Sequence, residues 1–172
     1  MIVQAVREGF VVSVENARTH LQAYGLAANI QTFAVSSATV ELAAAALGVE
    51  GARIAKTLSL YAGDKVLLVV CAGDARLHNQ KFKFRFSAKP KMLSPEELEE
   101  KIGHQMGGVC PFGVKDGVEI YLDQSLLRFE TVFPACGEAN NAIELTPQRL
   151  FEVAKAREWV DVCKIPGEDA AF

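Results

Sequence analysis

The sequence predicts an α+β fold with a mixed, largely antiparallel sheet, partly barrel-like, flanked by helices. Three observations carry this reading. Helix-period segments with recognisable caps alternate with short β-branched runs, most of those runs are paired through tight turns, and no repeat or linker divides the chain. With 172 residues, 50% hydrophobic and 23% charged, the chain is long enough to bury a core and reads as one domain over residues 1–172.

The elements follow in order. "SVENARTHLQAYG" predicts a first helix with Ser13 as N-cap, Gly25 as C-cap, and Val14, Ala17, Leu21 and Tyr24 along one face. "IQTFAVS" predicts a short strand, after which the hydroxyls of Ser36 and Ser37 can cap the helix "ATVELAAAALG", ended by Gly48. "ARIAKTLSLYAG" and "DKVLLVVCAG" are β-branched and joined through Gly63-Asp64, which predicts a hairpin. In its first strand Ile54, Lys56, Leu58 and Leu60 alternate onto one side, so a lysine sits in register with apolar residues.

"KFKFRF" alternates like a strand, yet Leu77, Phe82 and Phe86 suit a helix, which is the preferred reading. "LSPEELEEKIG" predicts a helix with Ser94 as cap, Pro95 in the first position, Glu97 closing a capping box and Gly103 at the end. "GGVCPFG", residues 107–113, cannot be a helix interior and lacks strand alternation. "VEIYLD", "RFETVFPAC" and "NAIELT" then predict an antiparallel meander, and Thr146-Pro147 starts a last helix through about Arg157.

Composition narrows the function. The N-terminus carries charges inside its apolar residues and makes a poor signal peptide, and no run approaches the roughly 20 apolar residues of a membrane helix, so a soluble cytoplasmic protein is expected. Cys71, Cys110, Cys136 and Cys163 lie far apart without a Cys-x-x-Cys or His-x-x-x-His pair, so free thiols are expected and no metal site or organic cofactor is implied. The net charge of −3 argues against a non-specific nucleic-acid coat, but "RLHNQKFKFRFSAKPK" from Arg76 to Lys91 holds six Arg or Lys and no acid. That run suits a phosphate backbone or, equally, a solvated face.

Several residues carry two readings. Gly107 and Gly108 expose main chain either to a ligand or simply for a tight connection. Lys56 either serves a site or extends its ammonium from the strand end into water. Cys110 is a nucleophile if His104 is its base, and otherwise a pocket-lining thiol. Asp123 is first a turn or cap residue and second an anchor for a ligand hydroxyl, whereas His20, His78 and His104 read as surface or capping residues.

Taken in order, "SSATVELAAAALGVEGARIAKTL", "AGDARL", "GGVCPFG", "IYLDQSL" and "FPACGEANNAIELTPQRL" resemble the YbaK/prolyl-tRNA synthetase-associated editing-domain family, from about residue 13 to 161. The resemblance implies an enzyme that hydrolyses the ester between a wrong amino acid and tRNA, acting in trans when free-standing. It implies that Lys56 is the principal functional side chain and that Gly107, Gly108 and Pro111 belong to a Gly-x-x-x-Pro loop whose main chain meets the scissile carbonyl. Ser37, Thr39, Cys110, Phe112 and the turn from Cys136 to Asn140, with Gly137, match pocket-forming segments, and Arg76, Lys81, Lys83 and Lys89 are candidates for acceptor-stem phosphates. The implied partner is misacylated tRNA, with Cys, Ala or another wrong residue on a proline tRNA, and prolyl-tRNA synthetase is a further candidate. The residue before the motif proline is commonly serine in the family and here is Cys110, a larger and poorer hydrogen-bonding group. A non-catalytic module binding aminoacyl-tRNA or an amino acid, and a hydrolase of small acyl esters, are the competing readings.

Overall fold

The computed structural model describes residues 2–35 and 39–168, with side chains from residue 12 onward. α1 (Ile2–Gln22) begins well before Ser13, so Ser13 is no cap but a fully buried residue inside a helix. Gly25, at φ +71, turns the chain after the helix toward β1 (Gln31–Thr32). α2 (Val40–Leu47) is capped by Thr39, whose Oγ1 accepts from the Leu42 N–H at 3.2 Å, and it ends at Gly48 as expected. Ser36 and Ser37, the predicted caps, lie outside the described residues.

β2 (Ile54–Ala62) and β3 (Lys65–Ala72) form the predicted hairpin, with Ala62 opposite Lys65 across Gly63-Asp64. Leu67, Leu68, Val69 and Val70 are all fully buried, because β3 is covered on both faces. β4 (Arg76–Leu77) leads into α3 (Asn79–Phe86), so the basic run is helical, and it buries Phe82 while Phe84 stays 80% exposed. After β5 (Pro90–Met92), α4 (Pro95–Glu97) carries the full Ser94–Glu97 capping box and continues as a π-helical turn over Leu98–Ile102 to Gly103.

The remaining elements are β6 (Glu119–Asp123), β7 (Phe133–Pro134), β8 (Asn141–Ala142), α5 (Pro147–Val153), β9 (Glu158–Val160) and β10 (Cys163–Lys164). They do not form the predicted meander. β6 pairs in parallel with β3, β7 in parallel with β2, and β8 antiparallel with β1; the second and third runs are joined antiparallel by the Val132–Leu145 bridge and by the Ile143 N–H donating to the Pro134 carbonyl at 3.0 Å. Asp123 is the cause: its carboxylate accepts from the N–H groups of Ser125 and Val162, both at 2.9 Å, starting a 3-10 turn that carries the chain away from β6. α5 stops four residues earlier than Arg157, where Lys155 takes a φ of +53 and the chain rejoins the sheet as β9.

The main sheet runs β5-β2-β3-β6-β9, with β7 added on β2, and two small antiparallel pairs, β1-β8 and β4-β10, lie apart. The class is the predicted α+β with mixed pairing, and the sheets do not close into a barrel. One feature positions the site. Along its outer edge β2 pairs with β7 at Ile54 and Ala55 and with β5 from Leu60 onward, so residues 56–58 have no strand partner there among the described residues.

Candidate functional site

A cleft of about 340 Å³ opens at this gap in the pairing of β2. Ala55, Lys56, Thr57 and Ser59 form its floor, β5 contributes Met92, and the segments after α4 and β7 contribute Gly107, Val109, Ala135 and Glu138. Thr39 and Val40, at the start of α2, close the far side. Two of the exposed large apolar side chains, Met92 at 57% and Met106 at 65%, stand among its lining residues. The volume lies in the range of clefts that hold small organic groups.

Lys56 is half-buried and donates from Nζ to the Gly73 carbonyl at 3.3 Å. An ammonium has three donors, and among the described residues only this one is engaged. Gly73 must be glycine here, since a Cβ would sit 2.0 Å from the Gly51 carbonyl oxygen. The next residue, Asp74, is held by Arg128 at 3.0 and 2.5 Å, and the Arg128 hydrogen bonds keep its carboxyl below the usual range, with Lys56 adding a smaller pull. The lysine thus stands on a rigid backbone beside a neutralised acid.

The bare loop divides into two kinds of glycine. A Cβ on Gly108 would lie 2.4 Å from the Gly137 carbonyl oxygen, one on Gly137 the same distance from that of Ser13, and one on Gly113 2.4 Å from that of Asn16. These three stack main chain on main chain, fixing the loop and the Gly137 turn against α1. Gly107, at φ +92, has nothing nearer than Ala139 Cβ at 3.7 Å and lines the cleft. The Gly108 N–H is taken by the Gln105 carbonyl at 2.9 Å, whereas no hydrogen bond engages the Gly107 N–H among the described residues.

Cys110, Pro111 and Phe112 are buried and absent from the cleft lining. His104 is likewise fully buried. Its Nε2 lies 2.7 Å from the Phe112 carbonyl, which can only accept, so Nε2 carries the proton and Nδ1 accepts from the Ser13 hydroxyl at 2.5 Å. Burial lowers the His104 pKa and pushes the Cys110 thiol up to about 12. With its lone pair engaged by Ser13, His104 cannot act as a base toward Cys110, 3.5 Å away, and the nucleophile reading fails. His20 is not a free surface residue either: it joins the Val153 carbonyl at 2.6 Å to the Gly113 N–H at 3.0 Å.

Asp123 is 2% exposed with both oxygens in use as a cap, the first of its two readings. The basic run separates similarly. Lys81 donates to Asp161 at 2.9 Å and to the Cys163 carbonyl at 3.1 Å, and Arg85 pairs with Glu158. Arg76, Lys83 and Lys89 are exposed, with Arg76 opposite Lys164 on β10. Among the described residues no cluster of three His, Cys, Asp or Glu could hold a metal, and no helix is long and apolar enough to cross a membrane.

The structure therefore gathers Lys56, Thr39 and Gly107 around one cleft, packs Gly108 and Gly137 directly behind it, and leaves Cys110, Phe112 and Asp123 in the interior. Glu138, in the turn expected to form the pocket, also lines the cleft, and a lone acid in "CGEANN" carries no local signal of that position.

Residues 34–153 match the model of the aminoacyl-tRNA editing domain. The chain is 51% identical over 154 residues to the uncharacterized protein YwhH of Bacillus subtilis strain 168, covering 89% of this chain and 98% of that one. It is 32% identical over 142 residues, 80% of its length, to the proline–tRNA ligase of Shouchella clausii strain KSM-K16, of which it spans 24%. Among solved structures, a candidate trans-editing enzyme for prolyl tRNA synthetase superposes with a TM-score of 0.80 at 27% identity, covering 88% of this chain and 97% of that one.

Proposed function

The chain belongs to the aminoacyl-tRNA editing domain family, and from that premise we propose that it is a free-standing deacylase that hydrolyses the ester of a misacylated tRNA, with proline tRNA carrying Cys, Ala or another wrong residue as its substrate. The observation that carries the proposal is the cleft itself, which brings a lysine with two donors unused among the described residues and an open glycine main chain to one small, mostly apolar space.

In the reaction, water adds to the ester carbonyl carbon, the acyl C–O bond breaks, and the ribose oxygen leaves with a proton. The ester is already activated, so positioning and stabilisation of the developing oxyanion supply the acceleration, and no nucleophilic side chain is needed. Lys56 holds the phosphate or ribose of the terminal adenosine through its remaining donors. The Gly107 main chain faces the scissile carbonyl; Gly108 supports it by packing, because its own N–H is engaged with Gln105. A second sieve of this kind answers the limit of the synthetase, whose pocket separates analogues differing by a methylene by only about 1–3 kcal/mol.

The test is single-turnover release of amino acid from proline tRNA charged with Cys, Ala, Ser or Pro, with Lys56→Ala in parallel. Selective release from a mischarged species, abolished in the variant while Tm stays within about 2 °C because a half-exposed lysine with one long hydrogen bond contributes little, is the expected result. Survival of every ester while the tRNA still binds would turn the reading to a binding module. Retained activity in Lys56→Ala would remove the lysine from the mechanism.

A further inference from the structure

We propose that Glu138 anchors the α-ammonium group of the aminoacyl moiety, making the cleft selective for esters that carry a free amine. This rests on the deacylase reading above and assigns a recognition residue within the same site. Among the described residues Glu138 is the only acid lining the cleft, and it is half-buried. Other half-buried acids of the chain are engaged: Glu97 in its capping box, Glu119 with Arg157 at 3.2 Å, Asp74 with Arg128. No hydrogen bond or ion pair engages the Glu138 side chain among the described residues, and a carboxylate partly withdrawn from water favours a cationic partner.

Its position is fixed by backbone. Gly137, at φ +89, rests on α1 at Ser13, and Gly108 packs so closely on the turn that a Cβ there would be 3.1 Å from the Glu138 nitrogen. Glu138 is therefore held next to the loop that presents Gly107. In an aminoacyl ester the ammonium is one carbon from the scissile carbonyl, so a carbonyl against Gly107 places the ammonium beside Glu138. Lys56, on the floor of the same cleft, repels that ammonium and attracts the phosphate side of the ester. The two charges together set the direction in which the substrate lies.

The experiment uses the panel of charged tRNAs above together with the same esters after the amino group has been converted to a hydroxyl, a change of charge at nearly constant size. Each enzymatic rate is divided by the uncatalysed rate of the same ester, for wild type and Glu138→Gln, and Tm is recorded for both. Wild type is expected to favour the free amine by about 10- to 100-fold, the range of a charge-assisted hydrogen bond. Glu138→Gln, with unchanged Tm, is expected to lose that preference by slowing on the amine while keeping its rate on the hydroxy ester. Equal wild-type acceleration of both esters, or a preference that survives Glu138→Gln, overturns the assignment. If wild type cleaves no ester of either kind, the deacylase reading falls first and takes this one with it.

Discussion

Replacing Gly108 with alanine separates the packing of the glycine loop from its chemistry. Gly108 has an ordinary φ, so its cost on gaining a side chain is steric alone. The added Cβ would meet the Gly137 carbonyl oxygen at 2.4 Å, the Gly137 carbonyl carbon at 2.8 Å and the Glu138 nitrogen at 3.1 Å. The first contact is about 1 Å inside the roughly 3.5 Å at which such atoms attract. All three atoms are main chain, so no rotamer change relieves the overlap, and the turn that would have to move is itself seated on α1. Overpacking of this kind costs about 1–3 kcal/mol, which for a chain of this size lowers Tm by roughly 2–12 °C. Hydrolysis should fall with it, since the displaced turn carries Glu138. Gly107→Asn is the counterpart: its nearest neighbour is at 3.7 Å, and asparagine tolerates a positive φ better than other side chains. Backbone strain at φ +92 should lower Tm, but by less than the Gly108→Ala clash, while the asparagine side chain crowds the cleft and slows deacylation. Thermal unfolding and single-turnover assays on both variants decide the matter. A wild-type Tm for Gly108→Ala, or a larger loss for Gly107→Asn, refutes the division of the loop into packing and cleft-facing glycines.

Exposed Lys83 and Lys89, not the ion-paired Lys81, should govern RNA affinity: neutralising both is expected to weaken tRNA binding and reduce the slope of log K against log salt by about 1–2, whereas Lys81→Ala leaves that slope unchanged. Equal effects from Lys81→Ala would show that its pairing with Asp161 does not withhold it from phosphate. Burial lowers the pKa of His104 below its unfolded value near 6.5, so below that value the unfolded chain binds the extra proton. Its contribution to stability is complete above about pH 6.5 and is lost as pH falls toward the folded pKa. Tm measured from pH 7.5 to 5.5 should therefore fall, His104→Gln should flatten the profile, and an unchanged slope in the variant would assign the loss to other groups.

What was legible in the sequence is what local chemistry decides. The Gly63-Asp64 hairpin, the Ser94–Glu97 box and the Thr146-Pro147 start each need only a few adjacent residues, and each is present. Strands of two or three residues such as β4, β9 and β10 exist because a distant partner pairs with them, and nothing in "EWV" or "CK" announces that partner. The same holds for side chains. Ser13 reads as a cap until His104, 91 positions away, is brought to its hydroxyl, and Lys81 reads as a free cation until Asp161 arrives from 80 positions away. Lys56 was legible because a lysine in an apolar register is conspicuous by itself.

"GGVCPFG" was conspicuous too, but its meaning required three dimensions, because the loop does two jobs with interleaved residues. Gly108, Cys110, Phe112 and Gly113 face inward, where the last lies on α1 and Cys110 shares a buried network with His104 and the Phe112 carbonyl. Gly107 and Val109 face the cleft. On the proposed deacylase reading, the serine common in the family at position 110 would change the inner network rather than the cleft wall, so the thiol is a poor guide to which amino acid is removed. On that reading, selectivity for the side chain comes from residues that do line the cleft, among them Thr39, Val40, Ala43, Phe133 and Ala142, and these lie on segments separated by about a hundred residues that only the fold brings together.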